Sequence, residues 1–266
     1  MDTAFLFDAP GPRAARRTRV ATVACSAALA AVAAFAVWRL GAHGELAADH
    51  WAAFTTWPIM RYLLTALLGT VQAALVAGAL ALPVGAVLAL ARLSRLRPIR
   101  LAATGYIELF RAVPLLLLIY VFLLALPAAG VRVPVFWQLV LAVSIHHTAV
   151  FAEVFRAGVL ALDRGQTEAA LSIGLTHGQA MRLVVIPQAL RNLAPSLVSQ
   201  VVTLLKDTTL GYVVSYPELL ESARVLGEYT GNLLPTYLVI AALFIVVNLA
   251  LTRLAHHLEK RRHAHA

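Results

Sequence analysis

Long apolar runs alternate along this chain with short polar segments that collect arginines or glutamates. Runs of about twenty residues are long enough to cross a bilayer as helices. The first extends from Val20 to Val37, directly after Arg13, Arg16, Arg17 and Arg19. It competes with a signal peptide, whose basic start it shares, but it is longer than a usual signal core and reads as an uncleaved span. Gly41 to Trp57, with Glu45, Asp49, Trp51 and Trp57, follows as an outward-facing loop with interfacial tryptophans. A second span covers about Tyr62 to Leu90, kinked at Pro83, with Ala77, Ala81, Gly85 and Ala89 forming a face that another helix can approach closely.

Arg92, Arg95, Arg97 and Arg100 then mark the cytoplasmic side, because basic residues are retained there. Tyr106 to Arg111 is amphipathic enough to lie along that surface before Pro114 opens a third span ending near Leu126. The fourth runs from Val135 to about Phe155, the fifth from Pro195 to about Val214 and the sixth from Leu233 to Leu254. A polar outer loop with Glu218, Glu221 and Glu228 separates the last two, and Lys260, Arg261 and Arg262 close the chain. Six crossings with both termini inside agree with these clusters.

One polar stretch, Glu168 to Pro187, interrupts this pattern on the cytoplasmic side. Glu168, Ala169 and Ala170 favour a helix, and Gly174 stands where a left-handed residue would end it. Thr176 and Gln179 have the spacing of a capping box that starts a second helix, which Pro187 stops or kinks. A bent helix pair between two spans suits docking into a soluble partner; an ordinary cytoplasmic loop is the plainer alternative.

Composition sharpens the class. Hydrophobic residues are 61% of 266 and charged ones 13%, and the mean hydropathy of +0.79 lies far outside the soluble range. This is an all-α integral membrane protein. The formal charge of +9 belongs to arginines beside the spans and not to a nucleic-acid-binding domain. Cys25 stands alone, so no disulfide framework or cysteine metal site is expected. The motifs of a phosphate loop, a zinc protease and a serine hydrolase are missing from the sequence, so no catalytic or metal-binding residue is assigned.

Polar groups in a span are expensive and point to function. His146 and Glu153 share a face of the fourth span; Gln200, Thr203 and Asp207 share one of the fifth, and Ser199, Thr203 and Lys206 a neighbouring one. Lys206 and Asp207 are adjacent and do not pair within one helix. These groups either meet a ligand or neutralise one another across helices. His146-His147 reads as a packed pair before a metal site.

Between Ala149 and Leu210, the segments FAEVFRAG, DRGQTEAALSIGLTHGQAMRLVVIPQALR and LLKDTTL resemble the permease subunits of polar amino acid uptake ABC transporters. Glu168-Ala169-Ala170, Gly174, Val184, Ile186 and Pro187 meet the spacing of the EAA motif of importer permeases. Arg111-Ala112-Val113-Pro114 and Arg156-Ala157-Gly158 depart from the commoner Arg-Gly-Thr-Pro and Arg-Gly-Gly. The resemblance covers roughly residues 60 to 255, and FDAPGPRAARR is similar to the start of actinobacterial glutamate permeases. It implies a type I ABC importer permease bundle (MetI-like) of about six transmembrane helices with a cytoplasmic coupling helix pair. The expected divisions are a cytoplasmic tail at 1–19, an added first span and outer loop at 20–57, the transmembrane domain at 58–255 with its EAA loop at 163–191, and a basic tail at 256–266.

Also implied are a paired ATPase, a second permease, identical or paralogous, and an extracytoplasmic solute-binding protein, in the cell membrane with lipid around the chain. ATP and Mg belong to the ATPase and no cofactor to this chain. Glu168, Ala169, Ala170, Gly174, Arg182 and Pro187 are the candidates for ATPase coupling, and Glu153, Thr203 and Lys206 for the path of an amino acid, glutamate foremost. An ion-gradient-driven secondary transporter of a small polar solute competes, but no convincing internal repeat supports it and it leaves the EAA spacing unexplained. A structural scaffold would not need Lys206 or Glu153 within its spans.

Overall fold

A computed structural model describes residues 11–263, with side chains from Arg13 to Arg253. The tail residues before Gly11 and the side chains of the Lys260 to Arg262 cluster lie outside the described residues. Every regular element among those described is helical. The chain divides into two compact units, residues 1–56 and 57–266.

The first unit holds α1 (Pro12–Ala42), α2 (Ala48–Ala52) and a 3-10 turn, Ala53–Thr55. Within α1, residues from Val20 to Val37 are exposed all round, so the helix presents apolar surface on every side.

The second unit contains α3 (Trp57–Arg92), α4 (Arg97–Ala112), α5 (Leu115–Tyr120), α6 (Leu126–Ala128) and α7 (Val135–Leu160). It continues with α8 (Arg164–Ser172), α9 (His177–Ala180), α10 (Ile186–Asp207), α11 (Leu219–Thr230) and α12 (Leu233–His263). By length and composition α1, α3, α7 and α12 can cross a membrane, and α4 with α5–α6, bent by 97°, raises the number to five. The remaining expected span falls on α10, whose Arg191, Lys206 and Asp207 make it amphipathic; it packs on α3, α7 and α12.

The α3–α7 contact is the most extensive, and the small-residue face explains it. Ala77, Ala81, Gly85 and Ala89 are all buried there. A Cβ on Gly85 would stand 2.8 Å from Phe151 Cβ and 3.0 Å from the Thr148 carbonyl oxygen, so only glycine lets the backbones come this close. Apolar association gains little where lipid is the alternative, and dispersion between close backbones takes its place. Gly158 does the same on α7 against Leu193 of α10, where a Cβ would overlap the leucine side chain. Phe151, Ile119, Leu139 and Leu204 fill the space between these helices.

Three expectations change. Of the stop or kink expected at Pro187, the stop does not occur. α9 runs through a π turn, Met181–Val185, into α10, and Ile186 N–H donates to the Met181 carbonyl five residues back. A proline lacks the N–H for the carbonyl four residues earlier and its ring crowds that carbonyl; the wider turn makes room. The same device precedes Pro127, where Val121–Ala125 forms a π turn closed by Leu126. Pro195 likewise lies inside α10 and does not begin it; Arg191 and Pro195 are both exposed, so the unpaired carbonyl is on an open face. The helix ends at Asp207, and Thr208–Val214 is a 3-10 segment.

The third change is the outer loop, which is largely the helix α11, packed on α3 and α12. Glu218 is its N-cap, wholly buried, and its two oxygens accept from Leu220 N–H (2.8 Å) and Glu221 N–H (2.7 Å). Burial pushes this carboxyl up to about 7 against the downward pull of the two N–H groups. Leu219 N–H donates to Thr70 Oγ1 at 3.0 Å, tying the cap to α3.

Candidate functional site

The Glu168 to Pro187 stretch folds as two helices meeting at a tight cap. Asp163 accepts from Gly165 N–H at 2.7 Å and starts α8. Gly174 adopts φ +89°, while Leu175 N–H donates to the Ala170 carbonyl and Gly174 N–H to that of Leu171. This is the paired bonding of a Schellman motif, which satisfies carbonyls that a helix end leaves free. Thr176 and Gln179 then form the capping box, Thr176 N–H donating to Gln179 Oε1 at 2.8 Å and Gln179 N–H to Thr176 Oγ1 at 3.4 Å.

Ala170 and Ala180 face inward and are buried, whereas Glu168, Ala169 and Arg182 are exposed. Gln188 Nε2 donates to Gln166 Oε1 at 3.0 Å, fastening α8 back onto α10. Leu171, Ile173 and Leu183 are also exposed, Ile173 to 79%. These apolar residues were not among the sequence candidates. Their signal was available: an isoleucine directly before a left-handed glycine, in a polar stretch, has no local reason to be there.

At the same end of the unit, α3, α4 and α7 are joined by charges. Glu153 Oε2 lies 2.9 Å from Arg92 Nη1, and Glu153 Oε1 lies 2.5 Å from Arg156 Nη2. Arg111 approaches to 3.9 Å, and Arg92 also reaches Glu108 at 3.2 Å. Three arginines thus surround the carboxylate of Glu153.

The other polar candidates are on α7 and α10. His147, 1% exposed, places Nε2 2.9 Å from Asp207 Oδ2, which joins α7 to the end of α10. His146 and His147 pack edge to face, with centroids 5.5 Å apart. Lys206 is exposed and lines an open groove with Thr209, Ala241, Phe244 and Asn248, and among the described residues it has no ion-pair partner. Thr203 is exposed on the same helix and donates to the Ser199 carbonyl at 3.0 Å. Glu153, Thr203 and Lys206 are therefore not brought together: the glutamate is with the arginines of α3, α4 and α7, and the other two are on α10.

Residues 81–264 match the family described as the binding-protein-dependent transport system inner membrane component. The glutamate transport system permease protein GluD of Corynebacterium glutamicum is 35% identical, over 85% of this chain and 84% of its own length. The probable glutamine ABC transporter permease protein GlnP of Bacillus subtilis is 36% identical over 59% of this chain and 73% of its own. A crystal structure of an amino acid ABC transporter with histidines superposes with a TM-score of 0.74 at 33% identity, covering 77% of this chain and 95% of that one. Such permeases work with a separate ATPase and a solute-binding protein. A multi-pass helical bundle that projects a capped helix pair beside the α3–α4–α7 charge cluster, and that matches this family from residue 81 to 264, belongs to the binding-protein-dependent transport family as an amino acid ABC importer permease.

Proposed function

We propose that this permease takes up a polar amino acid, glutamate first, and that the α8–α9 pair carries the stroke of ATP hydrolysis into α10. The observation behind the coupling role is the exposed, doubly capped projection itself. Ile173 and Leu171 offer apolar contact, with Glu168 and Arg182 exposed on the same projection, and Ala169 and Ala170 provide a short helix that a groove can hold. Gly174 sets the bend, and Pro187 keeps the wide turn by which α9 continues into α10. For the cargo, Lys206 offers a cation to a substrate carboxylate in an open groove, and Thr203 adds a hydroxyl on the same helix. Glu153, proposed as the carboxylate that meets an ammonium group, would first have to part from an arginine. GluD, named for glutamate, supports the glutamate reading; GlnP, named for glutamine, is the nearest competitor.

The subunit is further proposed to have both termini in the cytoplasm, to pair with an identical or paralogous permease, and to bind no cofactor of its own, ATP and Mg being held by the ATPase. The test is uptake in liposomes holding the assembled transporter, with candidate solute-binding proteins and glutamate, glutamine, aspartate or a basic amino acid. Glutamate uptake that ends on ATP depletion is expected. ATP-dependent uptake of a basic amino acid with no response to glutamate would overturn the cargo and keep the coupling.

A further inference from the structure

The part of α4 that the rest of its unit leaves uncovered has a chemistry of its own. α4 meets the spanning segment α5–α6 at 97°, so it runs along the bilayer surface when that segment crosses. Its residues fall into three stripes at three- and four-residue spacing. Ala103 and Ile107 are buried, with Phe110 half-buried beside them, on the side that packs against α3 and α7. Beside them lie Pro98, Leu101, Gly105 and Leu109, with Leu101 68% and Leu109 56% exposed. The third stripe holds Arg97, Arg100, Glu108 and Arg111. Its second half is engaged, since Glu108 pairs with Arg92 and Arg111 approaches Glu153. Arg97 and Arg100, with Arg95 just before the helix, are exposed and have no ion pair among the described residues.

We propose that the uncovered face of α4 is an anionic-lipid contact, with Leu101 and Leu109 entering the acyl boundary of the leaflet on the α8–α9 side and Arg95, Arg97 and Arg100, at and just before its start, gathering phospholipid headgroups of net negative charge. A helix buried on one side, apolar on the next and basic on the third fits where hydrocarbon, headgroup and protein meet. The positive charge selects anionic lipid over zwitterionic lipid, which has the same apolar chains and no net charge.

The test uses the assembled transporter in vesicles with equal parts of phosphatidylcholine and phosphatidylglycerol, extracted gently and weighed with its bound lipid by native mass spectrometry. Phosphatidylglycerol is expected to be retained over phosphatidylcholine, with the enrichment falling roughly fivefold for each arginine changed to glutamine. Arg95→Lys, Arg97→Lys and Arg100→Lys together are expected to keep it. Unchanged enrichment in the Arg95→Gln, Arg97→Gln, Arg100→Gln variant overturns the proposal. So does a variant that keeps its lipid and instead loses the ATPase, which would assign this face to the protein partner. Should the triple variant fail to assemble, Arg97→Gln and Arg100→Gln separately are each expected to show a single step of loss, and no step in either refutes the contact.

Discussion

Gly85 and Glu218 show how differently two buried positions respond to a change of a few atoms. At Gly85 the neighbours of an added Cβ are the Phe151 Cβ and the Thr148 carbonyl oxygen, atoms that move only if α7 itself moves. Gly85→Ala is therefore expected to destabilise the second unit by about 1–3 kcal/mol, seen as a lower unfolding temperature of the purified protein in detergent. Glu218 answers to pH. Its folded-state pKa of about 7 lies above the ordinary 4.5, so the folded protein holds the proton more tightly than the unfolded chain. The stabilisation is complete below the ordinary value and is lost as pH rises through 7, amounting to up to about 3 kcal/mol. Between pH 5 and 8 the unfolding temperature should fall with rising pH, and Glu218→Gln should remove that part of the slope. The glycine was legible in sequence because a four-residue repeat of small side chains is a local pattern. The glutamate was not, since its burial depends on α3, far away in the chain.

Among the elements, those with local punctuation could be read before folding. The C-cap at Gly174 and the capping box at Thr176 and Gln179 involve residues within a few positions of one another, and both form as expected. The two caps also make separable predictions. Gly174→Ala meets no atom within 4 Å, so its cost is only the left-handed backbone, about 1–2 kcal/mol. That should loosen the α8–α9 bend and lower cross-linking to the ATPase, with the unfolding temperature of the bundle unchanged. Thr176→Ala removes one cap bond, about 1 kcal/mol, and should speed hydrogen exchange at the first amides of α9 while α8 keeps its protection. The prolines were harder to read. A proline reads as a stop, yet Pro127 and Pro187 are each absorbed by a π turn and Pro195 by an open helix face. Which of these happens depends on packing around the preceding turn. α11 was hidden in the same way, because a stretch with glutamates resembles a solvated loop until its N-cap is seen buried against Thr70.

For the whole molecule, the alternation of apolar runs with arginine clusters was enough to indicate a membrane bundle, and the EAA spacing indicated its partner. The neighbours of each polar side chain were not legible, because i and i+7 on one helix say nothing of what the facing helix brings. Glu153 met three arginines, and His147 met Asp207. Lys206 remained open, and Lys206→Met is expected to reduce uptake at least tenfold, on the order of 1.4 kcal/mol or more, while co-purification of the ATPase stays as in the parent. Finally, α9, the π turn and α10 form one unbroken helical backbone from His177 to Asp207, and its Leu193 rests on Gly158 of α7. A rod resting at that point is a two-armed lever, with arms of about 24 Å toward His177 and about 20 Å toward Lys206. Nearly equal arms return a displacement at about the same size and in the opposite direction. An inward push of about 2 Å on α9 would therefore drive the Lys206 end outward by a similar amount, against the His147–Asp207 tie that holds it to α7.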